Sequence, residues 1–462
     1  MTVLSADLIS QLVNGIDIPK WQVDNSTRPT KTIINPANGE AICKVPVGNR
    51  ADVSEAFERA RDIQKKWGKT PAKKRAAVLS AFAELLYENR SRILDIVQAE
   101  TGKARAHAQE EVIDLIWGAK FYAKYGPGWL EPYGIAAALP GLTKARVVHS
   151  PLGVVGIISP WNYPLSLSTG DGIAAIMAGN AVVAKPDSQT PLTALYMVKL
   201  LEQAGLPKGT WQIVTGRGSE VGSAIVDNCD YLMFTGSSAT GQKLGEQIGG
   251  RLVGYSAELG GKNPMIVTEN VDIKAVADNI VRACYANAGQ LCISIERIYA
   301  VGKTYKKLLK ILPKRIAKMK LGTGKEWDIE MGSLIGADQL KTVEEHVSDA
   351  LEKGAKLLAG GTTRPDIGPY FYEPTLLADV SPDAICYREE TFGPVVSIYP
   401  AKDVAEAIEL ANDTEYGLNS SIMCNNPKQA QKIAEALNTG MVNINEGYAA
   451  AWTALEGPSG GW

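Results

Sequence analysis

The chain has only three histidines in 462 residues, and His107, His149 and His346 lie far apart. Neither an imidazole-built metal centre nor a cysteine–histidine hydrolase pair is expected. Cysteine is also scarce. Cys43, Cys229, Cys284, Cys292, Cys386 and Cys424 are scattered, with no Cys-x-x-Cys pair among them, which argues against a disulfide framework and a zinc ribbon. An excess of one charge is missing too. The net charge is −2, from 48 Lys and Arg against 50 Asp and Glu, so no basic field is available for nucleic acid. No apolar run reaches the roughly 18 residues of a membrane span. Asp7 stands early, where a signal would have a basic stretch before an apolar core, so no secretory leader is expected and the reading is cytoplasmic.

What is present describes an ordinary globular protein, 45% hydrophobic and 21% charged, long enough for two or three domains. Residues 35–40, Asn-Pro-Ala-Asn-Gly-Glu, read as a turn between short strands. The apolar spacing predicts two helices from Ala51 to Glu100, broken near Gly68–Pro71, and a third from Ala104 to Tyr125. Pro127, Pro132 and Pro140 follow, and Lys144–Ser150 reads as an isolated strand. Beyond Pro151, apolar runs (Gly153–Ser159, Ala181–Lys185, Thr210–Val214, Tyr231–Thr235) alternate with helical stretches at Gly172–Ala178 and Leu192–Ala204. The alternation restarts after Gly261, with strands at Pro264–Val267 and Arg297–Ala300 and helices at Ile273–Ala286 and Tyr305–Met319. Such alternation predicts parallel sheets covered on both faces. Two α/β domains are expected, with Glu258 near their junction and Cys292 in the second.

Chemistry is concentrated in two segments. Asn287-Ala288-Gly289-Gln290-Leu291-Cys292 puts a thiol after a glycine-containing turn, and Glu258-Leu259-Gly260-Gly261 follows a carboxylate with two glycines. Glycines permit close backbone approach, and a thiol with a carboxylate on separate turns suggests covalent catalysis with a general base. A lone cysteine is usually a small buried hydrophobe; its neighbours argue otherwise here. Two loops are candidates for phosphate. The first, starting Gly216-Arg217-Gly218, misses the dinucleotide fingerprint. The second, Gly236-Ser237-Ser238, has Walker-like spacing without the lysine directly after its closing glycine. Ser237 stands between a strand and a helix start, where N–H groups and the helix dipole favour a pyrophosphate.

Together the segments resemble the aldehyde dehydrogenase superfamily, and within it are similar to actinobacterial NADP-dependent succinate-semialdehyde dehydrogenases. The resemblance runs from Asn35 through almost the whole chain. Pro160-Trp161-Asn162-Tyr163-Pro164 looks like the oxyanion segment, and Lys185-Pro186-Asp187-Ser188-Gln189-Thr190-Pro191 the adenosine-ribose segment. Phe234-Thr235-Gly236-Ser237 looks like the pyrophosphate turn, and Glu389-Glu390-Thr391-Phe392-Gly393-Pro394 the nicotinamide-ribose segment.

The resemblance implies a Rossmann-like cofactor domain (1–127 and 151–258), an oligomerisation arm (128–150) and a catalytic domain (259–462). It implies oxidation of an aldehyde, succinate semialdehyde to succinate first among them, through a thiohemiacetal and a thioester. Cys292 is then the nucleophile, Glu258 the base and Asn162 the oxyanion donor. Ser159, Pro160, Trp161, Lys185, Pro186, Asp187, Ser188, Gly218, Gly236, Ser237, Ser238, Leu259, Glu390 and Phe392 would hold the cofactor. Tyr163, Gly170, Leu291, Ile293, Trp452 and Ser459 would line the substrate site, with no metal.

Ser188 stands where NAD-preferring members carry Glu, so NADP is expected over NAD. The extended backbone expected there would turn Asp187 away from the phosphate. The expected partner is the aldehyde, in a homodimer or homotetramer. Three departures accompany the resemblance. The family's tail beyond Gly460-Gly461 is expected to be absent. Ser294 replaces a cysteine that forms a redox disulfide in some members. Gly170 and Ala286 replace the arginines that hold a distal carboxylate. Acylation of coenzyme A or phosphate on the same fold would not need Glu258, and a non-catalytic protein would not need the full set.

Overall fold

A computed structural model describes residues 29–139 and 141–457. Strands β1 (Thr30–Ile34) and β2 (Ala41–Pro46) pair antiparallel across the turn at residues 35–40. Three helices follow, Arg50–Trp67, Ala72–Glu88 and Arg90–Thr101, where the apolar spacing predicts two. The additional break is at Asn89. Its Nδ2 donates to the Leu85 carbonyl at 2.8 Å, and its Oδ1 accepts from Tyr196 Oη at 3.0 Å. An asparagine that competes for backbone groups in this way ends a helix.

The next helix, Arg105–Trp129, runs past its expected end at Tyr125 and through Pro127. Phe121, Tyr125 and Trp129 lie one turn apart on the same face, with centroids 5.2 Å and 5.9 Å between successive rings. This aromatic stack holds the last turn even though Pro127 has no N–H to donate to the carbonyl four residues earlier. Strands β3 (Tyr133–Ile135) and β4 (Ala145–Val147) then form an antiparallel pair of their own, outside both large sheets. The expected isolated strand therefore has a partner, drawn from the proline-rich approach.

The first large sheet holds β5 (Val154–Ile158), β6 (Ala181–Lys185), β7 (Trp211–Ile213), β8 (Tyr231–Thr235) and β9 (Gly254–Glu258) in the order β7-β6-β5-β8-β9, all parallel. Strands β5 and β6 are wholly buried, as apolar runs covered on both faces should be. The helix after β5 begins at Pro164, earlier than the expected Gly172. Proline suits a first helical position, and the cap comes from a distant residue: Glu111 Oε2 accepts the N–H groups of Leu165 (2.8 Å) and Ser166 (3.3 Å).

The second sheet holds β10 (Asn263–Val267), β11 (Ile295–Val301), β12 (Lys356–Ala359), β13 (Thr375–Ala378), β14 (Val395–Ala401), β15 (Asn419–Met423) and β16 (Met441–Ile444). Its order is β12-β13-β14-β11-β10-β15-β16, parallel except for the edge strand β12. Pairing of Thr235 with Glu258 sets Glu258 at the end of β9. Cys292 lies just before β11, whose neighbour β10 starts one residue beyond the glycine pair, after Lys262.

Candidate active site

The loop carrying Cys292 is built from an unusual backbone. After the helix Ile273–Tyr285, Asn287, Ala288 and Gly289 have φ of 52°, 56° and 71°. A left-handed conformation at a non-glycine residue costs about 1–2 kcal/mol, and hydrogen bonds offset it. The Asn287 N–H donates to His107 Nδ1 at 3.1 Å, and its Nδ2 donates to the carbonyls of Asn162 and Gln290, both at 3.0 Å. A Cβ at Gly289 would lie 2.0 Å from the Gly393 carbonyl oxygen, so only glycine fits there. On the far side, Asn263 Nδ2 donates to the carbonyls of Cys292 (2.8 Å) and Ser294 (2.7 Å). Burial pushes the Cys292 thiol up to about 12, with Glu390 and then Glu258 adding to the effect.

The Glu258–Gly261 turn lies against this loop. A Cβ on Gly261 would sit 2.6 Å from the Cys292 carbonyl oxygen, and one on Gly260 would sit 2.6 Å from Glu390 Oε2. Glu390 is half-buried and its Oε1 accepts the Gly261 N–H at 3.0 Å, so it is no solvated surface carboxylate. Burial, followed by repulsion from Glu296, pushes its carboxyl up to about 8. Burial also raises Glu258.

Asn162 is buried and held at both ends. Its carbonyl accepts from Lys103 Nζ (2.6 Å) as well as from Asn287, and its Nδ2 donates to the Gln290 carbonyl at 3.2 Å. That bond uses one of two amide hydrogens and orients the group. The Asn162 Oδ1 has no partner. Lys103 and Glu111 form a fully buried ion pair at 2.5 Å, with Nζ 3.8 Å from the centre of the Tyr163 ring. Burial pulls the ammonium down and pushes the carboxyl up; their contact opposes both. Lys103, Glu111, Asn263 and Asn287 are site residues that local sequence reasoning misses, because each acts through a neighbour distant in sequence.

Cys292, Glu258, Asn162, Tyr163, Gly170, Leu291 and Ile293 open on one cavity of about 440 Å³. A Cβ at Gly170 would touch nothing within 4 Å, whereas Ala286 packs in an apolar cluster with Tyr163 and Tyr448. Trp452 falls in the short helix Ala450–Thr453, its side chain beyond the described set. Ser459 lies outside the described residues. The lining also includes Asp114 and Asp171, and among the described residues no lysine, arginine or histidine. Burial pushes both aspartates up to about 6, with Glu258 adding for Asp171, and with Glu111 and Asp171 adding for Asp114.

The cofactor candidates gather at the carboxyl ends of the first sheet, where β5 and β8 lead in opposite directions, the usual ligand crevice of such a sheet. Ser159, Pro160 and Trp161 follow β5, and the buried Ser159 Oγ has no partner. After β8, Gly236 and Ser237 lead into the helix Ser238–Gly249, which has no side-chain cap. Leu259 packs on that helix at Gly241, where a Cβ would meet it at 2.5 Å. Gly218 starts a short, wide π-helical turn, and a Cβ there would meet nothing within 4 Å.

After β6, Lys185 is buried and its Nζ donates to the Pro186 carbonyl at 3.1 Å. Ser188 Oγ accepts from Lys31 Nζ at 3.2 Å, a cation that sequence reasoning misses. The expected extended backbone is absent. Ser188 lies in a turn, where Asp187 Oδ1 accepts the Gln189 N–H at 2.8 Å; an Asx turn thus occupies that carboxylate. Phe392 has φ 51°, held by Glu296 Oε1, which accepts its N–H at 3.0 Å, and by Gln339 Nε2, which donates to its carbonyl at 2.8 Å. Its ring meets Trp161 edge-on at 5.5 Å. An orphaned serine hydroxyl, the open glycine at Gly218 and an uncapped helix start fit a dinucleotide.

Residues 21–462 match the family described as "Aldehyde dehydrogenase family". A Mycobacterium ulcerans (strain Agy99) protein named "Putative succinate-semialdehyde dehydrogenase [NADP(+)] 2" is 53% identical over 438 residues, 95% of this chain and 85% of its own length. An NADP-dependent enzyme of E. coli superposes with a TM-score of 0.87 at 33% identity, over 91% of this chain and 87% of its own. Betaine aldehyde dehydrogenase from Staphylococcus aureus, solved with NAD+, gives 0.89 at 31% identity, over 95% and 90%.

Proposed function

The chain belongs to the aldehyde dehydrogenase family, and from that premise we propose that it oxidises a small aldehyde to the acid with NADP as electron acceptor. The observation that carries this reading is the single cavity shared by Cys292, Glu258 and Asn162. The Cys292 thiol loses its proton to solvent as sulfur bonds the aldehyde carbon, forming a thiohemiacetal. The free Asn162 amide hydrogen and the Cys292 N–H receive the oxyanion, at roughly 3–4 kcal/mol per donor. When bound, the dinucleotide supplies a hydride acceptor, and the Cys292 adduct becomes a thioester. Glu258 takes a proton from the water that attacks this thioester, releasing the acid and restoring the sulfur.

Lys31, Lys185 and Ser188 favour NADP by offering two cations and a hydroxyl to a 2′-phosphate. Glu390 serves ribose hydroxyls, Phe392 and Trp161 form a wall, and Ser237 and Ser238 meet the pyrophosphate. The M. ulcerans name points to succinate semialdehyde as substrate. A second reading, another small aldehyde oxidised the same way, is favoured by a lining that has acids and no described cation. The exposed Trp129, Tyr133, Ile135 and Leu139 support a homodimer or homotetramer joined through residues 128–150. The six unpaired cysteines support a cytoplasmic setting. The test is NADPH formation by purified protein with a panel of aldehydes, with and without coenzyme A. Turnover without coenzyme A is expected, falling below about a hundredth of the parent rate in Cys292→Ala. Strict dependence on coenzyme A, or an active Cys292→Ala, would overturn it.

A further inference from the structure

The starts of β10 and β11 each carry a buried charge. Lys262 lies four residues beyond Glu258, and Glu296 four residues beyond Cys292. Their side chains form an ion pair, 2% and 4% exposed. Desolvating two charges is costly, and an apolar pair of similar volume commonly serves stability as well. Packing alone therefore does not account for this pair, and neither residue lines the Cys292 cavity.

The other partners of Glu296 account for it. Its Oε1 accepts the N–H groups of Thr391 at 3.1 Å and Phe392 at 3.0 Å, while Oε2 takes the Lys262 ammonium. A charged acceptor strengthens both N–H bonds. They hold Phe392 at φ 51°, a conformation that a non-glycine residue keeps only where its surroundings impose it. The carbonyls of the same two residues accept from Gln339 Nε2 at 3.1 Å and 2.8 Å, so the segment is gripped along both edges. Beside Lys262, the Gly261 N–H donates to Glu390 at 3.0 Å, and Arg297 Nε donates to the Lys262 carbonyl at 2.8 Å. One ion pair thus ties the stretch after the base and the stretch after the nucleophile to the segment carrying Glu390 and Phe392.

We infer that Glu296, oriented by Lys262, is a positioning residue for hydride transfer, fixing the Glu390–Phe392 segment relative to Cys292 for a bound dinucleotide. The inference rests on the aldehyde-oxidation reading and concerns only its dinucleotide-dependent half. Glu296→Gln tests it, because the amide can satisfy the two N–H groups only by turning its own NH2 towards the Lys262 ammonium. Lys262→Met/Glu296→Gln removes the ammonium and leaves the amide oxygen to the loop. The readouts are NADP affinity by calorimetry, NADPH formed in the first turnover, and hydrolysis of p-nitrophenyl acetate. In that hydrolysis the Cys292 sulfur bonds the acetyl carbon as p-nitrophenol leaves with the thiol proton, and water activated by Glu258 then frees acetate, with no dinucleotide involved. In Glu296→Gln the NADP Kd should rise about tenfold, the scale of one lost hydrogen bond. The ratio of first-turnover NADPH formation to ester turnover should fall about a hundredfold, the scale of a misplacement of about 1 Å. Taken within one sample, that ratio does not depend on how much of the variant folds. The double variant should recover most of both losses. An NADP Kd that does not move, a ratio unchanged because neither rate falls or both fall together, or a double variant no better than the single would overturn the inference and leave aldehyde oxidation standing. A parent that oxidises no aldehyde would overturn that reading alone, because the Kd values of the three proteins still decide this one.

Discussion

Replacing Glu258 with glutamine should accelerate one reaction of Cys292 while abolishing another. The thiol is pushed up to about 12 by burial, with Glu390 and Glu258 adding their charge. Compared with an ordinary thiol near 8.5, its thiolate fraction at pH 8 is lower by about three orders of magnitude. Alkylation by iodoacetamide should be slowed to match. Glu258→Gln removes one of the two anions that oppose the thiolate. A unit charge about 6 Å away at an effective dielectric near 20 is worth up to roughly 3 kcal/mol. Solvent screening at a half-buried group leaves about 1 kcal/mol, or a fivefold faster alkylation. The same variant should keep its first-turnover burst of NADPH and lose steady turnover, because the thioester then lacks its base. The assay is mass spectrometry of the Cys292 peptide against time and pH, beside stopped-flow absorbance. Slower alkylation in Glu258→Gln, together with a lost burst, would make Glu258 the group that generates the thiolate and refute this reasoning.

Other expectations test other parts of the molecule. Ser188→Glu should reverse a preference for NADP over NAD, since a carboxylate 4 Å from the 2′-phosphate costs about 4 kcal/mol at an effective dielectric of 20; a parent with higher kcat/KM for NAD would refute it. Lys103→Met should destabilise the protein by about 3–5 kcal/mol in chemical denaturation by stranding Glu111, and adding Glu111→Gln should recover part of the loss. Asp114→Asn/Asp171→Asn should be more stable than the parent at pH 8. Both folded carboxyls titrate near 6, above the unfolded value near 3.9, so their contribution is most favourable below pH 4 and is lost as pH rises through 6. The gain is at most about 3 kcal/mol per group and should vanish below pH 4; an equal gain at pH 4 and pH 8 would contradict the shift.

The parts of the fold that could be read from the chain are those whose cause is local. Ala181–Lys185 is an apolar run and forms a wholly buried strand with those bounds. The helix start at Pro164 is not local in cause, because its cap, Glu111, lies on another helix. The break at Asn89 depends on Tyr196, and the helix end at Trp129 on a ring stack. In the same way, Cys292, Glu258 and Asn162 stand in recognisable segments, and the structure brings them to one cavity. Lys31 and Asp171 are single charged residues in unremarkable stretches, and their significance comes from what folding puts beside them. Asp187 and Ser188 show the limit of a period-two argument, since an Asx turn, not strand alternation, occupies the carboxylate.

The two glycines after Glu258 have a wider consequence. One would-be Cβ collides with the Cys292 carbonyl and the other with Glu390, so a single turn is wedged between the loop of the nucleophile and the loop of the dinucleotide candidates. Neither loop can shift towards the other without striking bare backbone. On the nucleophile's side the spacing is therefore set like the gap in a gauge block, by the thickness of one peptide chain, while on the other side it rests on the end of the Glu390 side chain. Tolerance to mutation should be lowest at Gly261, a position that brings no side chain at all.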